Sequence, residues 1–156
     1  MISQTKILKG KERKEIETKL EEQFGISKIP GEILMRGKER LFFYSGGLNS
    51  DSIKNLESLV FIERIGIYFA KMEENGEIRL SIDGAQIFKE QISKNIFQIP
   101  KELVEKWMMG NELNIKSGMK GFVIISYNNE FLGTGKASEE KISNFIPKNR
   151  RLKEKR

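Results

Sequence analysis

Apolar side chains recur every fourth position at Ile16, Leu20 and Phe24 with charged residues between them, which predicts an amphipathic helix over residues 11–24. Gly25 follows the last periodic position, where a left-handed residue closes many helices. Glu15 stands four residues before Lys19 and supports the helix, while Lys11, Arg13 and Lys14 in its first turns oppose the dipole. Short apolar runs at residues 33–36 and 40–44 predict two strands joined through Gly37-Lys38. Gly46-Gly47 then breaks the chain before a short helix capped by Ser50 or Asp51, and residues 59–62 predict one more strand. From Gly66 the pattern is strand, Asn75-Gly76 turn, strand to Ser81, and a short helix through Ile87 and Phe88. Pro100 suits the first position of a helix whose inner stripe is Leu103, Val104 and Trp107.

The most informative stretch is residues 121–137. Phe122 and Ile124 alternate with Val123, Ile125 and Tyr127, so the predicted strand carries apolar side chains on both faces and is covered on both. Asn128-Asn129 supplies two residues that tolerate positive φ, as a two-residue hairpin loop of the primed type requires. In the return strand Gly133 and Gly135 face the same side and leave bare backbone that a chain segment or a ligand can approach, with Lys136 opposite. Gly-Thr-Gly-Lys is no P-loop, because Glu130 and Ala137 occupy two of its fixed positions. It is no dinucleotide fingerprint either, since Ser138 replaces the third glycine and the run closes a hairpin.

Composition narrows the chemistry. The 156 residues contain neither Cys nor His, which removes thiol chemistry, the usual general base and the commonest metal ligand. The two aspartates, Asp51 and Asp83, sit beside Ser or Gly in turn-like settings, and the glutamates alternate with lysines as on a solvated face. An enzyme built on Asp83 and nearby Glu is therefore disfavoured. No apolar run approaches the roughly 20 residues of a membrane span, and the start lacks an apolar signal core, so the expectation is a cytoplasmic protein. Of the net charge of +6, residues 148–156 carry +5.

The order of blocks Gly66-Ile67-Tyr68-Phe69-Ala70-Lys71, Ile78 to Ala85, Trp107-Met108-Met109-Gly110-Asn111-Glu112-Leu113 and the closing hairpin resembles the PUA domain, a small RNA-binding β-barrel. It looks like the Nip-seven family of ribosome-biogenesis factors and is also similar to the C-terminal extension of the Sun-type rRNA cytosine methyltransferases. The resemblance implies an archaeal type of factor that binds rRNA or tRNA in ribosome assembly or RNA modification. It makes Gly84 a candidate contact where a PUA domain presents backbone to RNA; on the residues alone, Gly84 equally well just permits the turn. It also implies that the basic end lies beside the RNA-binding face.

The resulting expectation is an α+β protein: an N-terminal α/β (pre-PUA) domain at residues 1–64, a C-terminal PUA β-barrel at 65–147, and a basic tail at 148–156. The candidate RNA-binding residues are Arg79, Gly84, Gly133, Gly135, Lys136, Lys148, Arg150, Arg151 and Lys153. Trp107, in step with Leu103 and followed by two methionines, reads as core. Phe145 and Ile146 lead straight into the basic residues and would dock the tail against the fold. No cofactor and no catalytic residue is expected, and partners are RNA and ribosome-assembly or RNA-modification proteins. The alternative is a protein-interaction module that docks an RNA methyltransferase in trans, since the chain leaves no room for a Rossmann-type catalytic domain and lacks a cysteine nucleophile.

Overall fold

The computed structural model describes residues 5–60 and 65–153. Strand β1 (Thr5–Ile7) leads into helix α1 (Gly10–Phe24), which buries Ile16, Leu20 and Phe24 and ends at Gly25 with φ 84°. Strands β2 (Glu32–Arg36) and β3 (Arg40–Tyr44) pair antiparallel, and helix α2 (Ser50–Leu59) follows. Its cap is Asn49, one residue before Ser50 and two before Asp51, and the Asn49 side chain accepts from the Ser52 N–H at 2.9 Å. Leu59 closes this helix instead of opening a strand, and residues 61 and 62 of the expected strand lie outside the described residues.

Strands β4 (Ile67–Met72) and β5 (Ile78–Leu80) complete an antiparallel sheet in the order β1-β2-β3-β4-β5. The division expected at residue 64 falls inside this sheet, because β3 and β4 pair across it, Arg40 with Lys71 and Phe42 with Tyr68. Asn75-Gly76 does turn the β4–β5 hairpin, with Gly76 at φ 87° donating to Glu73 O. Gln23 of α1 both donates to and accepts from the backbone of Ile78, so the helix covers the sheet's β5 edge. Helix α3 (Ile82–Ile87) starts at Ser81, whose hydroxyl accepts from the Gly84 N–H at 2.9 Å.

A second sheet has the order β6-β7-β8-β9: β6 (Ile96–Gln98), β7 (Gly121–Tyr127), β8 (Glu130–Ala137) and β9 (Ile142–Asn144). Only the β6–β7 pair is parallel, connected through helix α4 (Lys101–Met108), with Pro100 one position ahead of it. Neither sheet closes into a barrel among the described residues. Strand β7 is buried on both faces as its alternation requires: Phe122 and Ile124 join the core beneath α1, while Val123 and Ile125 join a second core around Trp107. The first of these cores also holds Leu20, Phe24, Ile33, Phe69 and Ala85, so one apolar interior spans both sheets.

Among the described residues no helix is long and apolar enough to cross a membrane, and no group of three or more acidic side chains is gathered to hold a metal ion.

Candidate nucleic-acid interface

The β7–β8 hairpin turns through Asn128 and Asn129 at φ 49° and 64°. Farther along, one residue of β7 faces two of β8, because the register steps from the Ile124–Thr134 pair to the Ser126–Phe131 pair. Gly133, at φ 105°, lies in this bulge. The neighbouring carbonyl of Leu132 accepts from Trp107 Nε1 at 2.7 Å. A Cβ on Gly133 would stand 3.0 Å from Ile146 Cγ1; one on Gly135 would stand 2.6 Å from Ser143 O and 2.9 Å from Trp107 Cη2. Both glycines are buried, so the close neighbour is Trp107 with β9 and Ile146, and the bare patch is not an exposed RNA contact. The full burial of Trp107 is the reason.

Gly84 has a similar explanation. A Cβ there would collide with the carbonyl of Phe69, and its N–H is already taken by Ser81 Oγ. Its lack of a side chain lets α3 lie against β4, and it presents no free backbone donor.

The basic segment is docked. A short 3-10 turn covers Lys148–Arg150, after which Arg151 Nε donates to Ile146 O at 2.9 Å and the Leu152 N–H donates to Met108 O at 2.8 Å. The Arg151 guanidinium lies over Gly110 at the end of α4, and Asn144 Nδ2 donates to Trp107 O and Asn111 O beside it. Arg151 therefore positions the segment, while Lys148, Arg150 and Lys153 remain on its exposed side. Residues 154–156 of the predicted tail lie outside the described residues.

This docking builds a cleft of about 530 Å³ between the β4–β5 side of the five-stranded sheet and the C-terminal segment. Gly66, Ile67 and Tyr68 at the start of β4, Arg79, Asp83 at the start of α3, and Phe145, Asn149 and Arg150 of the C-terminal segment surround it. Arg150 Nη1 meets Asp83 Oδ1 at 3.1 Å, with both side chains nearly half exposed. Such a pair is worth at most about 1 kcal/mol, so Arg150 is free to exchange Asp83 for a phosphate. Arg79 lies 4.3 Å above the Phe145 ring and donates to Glu73 Oε1 at 3.2 Å. Burial pushes the Tyr68 phenol above its usual pKa, with Arg79 and Arg40 acting the other way, so it stays neutral at pH 7. Ser81 is spent internally, its hydroxyl donating to Tyr68 O and accepting from Gly84.

Lys136 is exposed and sits apart from this cleft, 5.4 Å over the Phe122 ring. Phe122 packs on Phe145 with ring centroids 6.0 Å apart, and Phe145 lies under Arg79, so two adjoining rings with a cation at each end connect Lys136 to the cleft. Beyond Lys136 is a second groove of about 900 Å³ that also holds Lys116, Met119 and Lys120. Of the residues expected to bind RNA, the cleft gathers Arg79 and Arg150; Tyr68 and Asn149 join them unforeseen. Tyr68 stood in the resembling blocks, and only the antiparallel pairing of β4 brings it beside Arg79.

Comparison with known families matches residues 94–152 to the model described as the methyltransferase RsmF PUA domain. These residues are thus similar to a PUA-like domain of the RsmF type. The PUA-like part begins just before β6 and ends in the docked segment, so the five-stranded sheet lies outside it. Over 131 residues the chain is 26% identical to a ribosomal RNA small subunit methyltransferase F of Psychromonas ingrahamii, a match that covers 81% of this chain and 26% of that protein. The chain thus spans about a quarter of the length of this curated relative. The cleft lies at the seam: Tyr68 and Arg79 come from outside the PUA-like part, Phe145, Asn149 and Arg150 from within it.

Proposed function

We propose that this chain binds RNA through the cleft between its five-stranded sheet and its C-terminal segment and acts on ribosomal RNA, in assembly or modification, as a non-catalytic cytoplasmic factor. The observation that carries this reading is the cleft itself, where two arginines and a half-buried tyrosine meet in a concavity large enough for a nucleotide. Arg79 and Arg150 are the phosphate ligands: their guanidinium forks suit bidentate contact, and Arg150 has only a weak pair to give up. Tyr68 is the stacking surface for an unpaired base, which single-stranded or looped RNA can supply and a regular duplex cannot. Asp83 and Asn149 provide an acceptor and an amide toward the base edge. The likeness of the C-terminal part to the PUA domain of an rRNA methyltransferase family supports ribosomal RNA as the partner.

The test is binding of a labelled single-stranded RNA to the whole chain. Tyr68→Leu and Arg150→Gln should each weaken binding about tenfold or more, given roughly 1–3 kcal/mol per stacked base or charge-assisted contact. Melting temperature should change little for Arg150→Gln. Wild-type affinity in both variants would remove the cleft as the site.

A second reading, docking to an RNA methyltransferase or assembly factor in trans, is favoured by Leu56, Leu59 and Val60, which are 38%, 79% and 55% exposed at the end of α2. It involves a different surface and is compatible with RNA in the cleft.

A further inference from the structure

The five-stranded sheet carries a row of cations only partly matched by acidic neighbours. Arg36 pairs with Arg40 across β2 and β3, Arg40 with Lys71 across β3 and β4, and Lys71 with Arg79 across β4 and β5. Residues directly opposite project from the same face, so four positive side chains stand side by side on successive strands, about 4.8 Å apart. Leu34 and Phe42, in step with Arg36 and Arg40 along their strands, pack with Ile53 of α2, so the row lies on the α2 side of the sheet and outside the main core.

Like charges in directly opposite positions repel. Acidic neighbours relieve only half of the row: Lys71 lies 3.8 Å from Glu39 and 4.0 Å from Glu73, and Arg79 pairs with Glu73. Arg36 and Arg40 form no ion pair among the described residues, and Arg36 Nη1 is buried with no hydrogen-bond partner. A buried guanidinium donor without an acceptor is a costly arrangement that a bound anion would relieve. Arg36 also lines an open hollow of about 480 Å³ together with Gly37, Lys38, Glu39 and Arg40. The row leads toward the cleft, since the Arg40 guanidinium lies 5.9 Å from the Tyr68 ring and Arg79 is shared by both.

We propose that Arg36 and Arg40 form a phosphate-binding track that takes the phosphodiester groups next to the nucleotide in the cleft, extending the RNA path onto the five-stranded sheet. The proposal rests on the reading of the cleft as an RNA site. It assigns a role to a part of the chain that lies outside the PUA-like match.

The experiment measures binding of a single-stranded tetranucleotide and dodecanucleotide to the full chain over a range of salt. Wild type should show a slope of log affinity against log salt steeper by roughly 1.4 for the longer RNA, at about 0.7 per added phosphate contact. Arg36→Gln combined with Arg40→Gln should remove that increment and weaken the dodecanucleotide about tenfold, leaving the tetranucleotide unchanged. Unaltered binding of the dodecanucleotide by the double variant overturns the track. If the variant is misfolded by melting, equal wild-type slopes for the two RNAs overturn it instead. Displacement of the dodecanucleotide by an equal phosphate concentration of inorganic phosphate would assign the row to free anions and also overturn it. The cleft fails separately, when Tyr68→Leu leaves tetranucleotide affinity intact, and a wild type that binds neither RNA overturns both.

Discussion

At Gly133 a side chain is opposed twice over, by a backbone at φ 105° that L residues rarely adopt and by Ile146 Cγ1, 3.0 Å from where its Cβ would stand and closer than ordinary van der Waals contact. At Gly135 the exclusion is purely one of space, with Ser143 O and the Trp107 ring in the way. Gly133→Val and Gly135→Val should therefore destabilise the protein by at least about 1 to 3 kcal/mol, read as a lower melting temperature, while Lys136→Ala leaves it near wild type. Variants of either glycine that melt like wild type would contradict this packing. The two-residue spacing made the absence of Cβ legible in the sequence, but not its occupant, since Trp107 reaches the glycines from another element. The reading of Trp107 as core was recoverable because the helical stripe with Leu103 and Val104 gave it a facing direction. Arg36 was invisible as a special residue, because nothing in its own neighbourhood in sequence says that its Nη1 is buried without an acceptor among the described residues.

Among the elements, the C-terminal segment carries most weight. Phe145 and Ile146 anchor it as their apolar character led one to expect, with Ile146 1% exposed. Less expected is how much of the following chain is fixed: Arg151 and Leu152 bond back to Ile146 and Met108, so residues up to 152 belong to the fold. Deleting residues 148–156 should consequently weaken RNA binding and also lower the melting temperature by several degrees, as the loss of about 1 kcal/mol or more does in a domain of this size. Retained melting temperature with lost binding would show that the docking contacts add no stability. Helix α1 and the two-asparagine hairpin were legible nearly to the residue, since periodicity, Gly25 and positive-φ tolerance all pointed the same way. The end of α2 was not, because residues 59–62 are apolar without a period and short apolar runs fit a strand as well as a helix.

For the molecule as a whole, the chain divides by sheet between β5 and β6, with a shared core of α1, α3 and one face of β7 holding the two sheets together. This division was hidden in the sequence because β3 and β4 are separated by α2 and only pairing reveals that they are neighbours. The same pairing brings Tyr68, Arg40 and Lys71 toward Arg79, which is why the cleft and the cation row escaped a reading based on local motifs. RNA held in the cleft would contact both the five-stranded sheet and the C-terminal segment at once. Ultraviolet crosslinking of a single-stranded RNA to the intact protein, followed by mass spectrometry of the peptides, examines that claim directly. Crosslinks are expected in the β4 peptide at Tyr68 and in the C-terminal peptide at Phe145 or Asn149, competed away by unlabelled single strand and not by duplex. Crosslinks confined to α1 or to the β7–β8 turn, with neither of those peptides modified, would contradict an RNA site between the five-stranded sheet and the C-terminal segment.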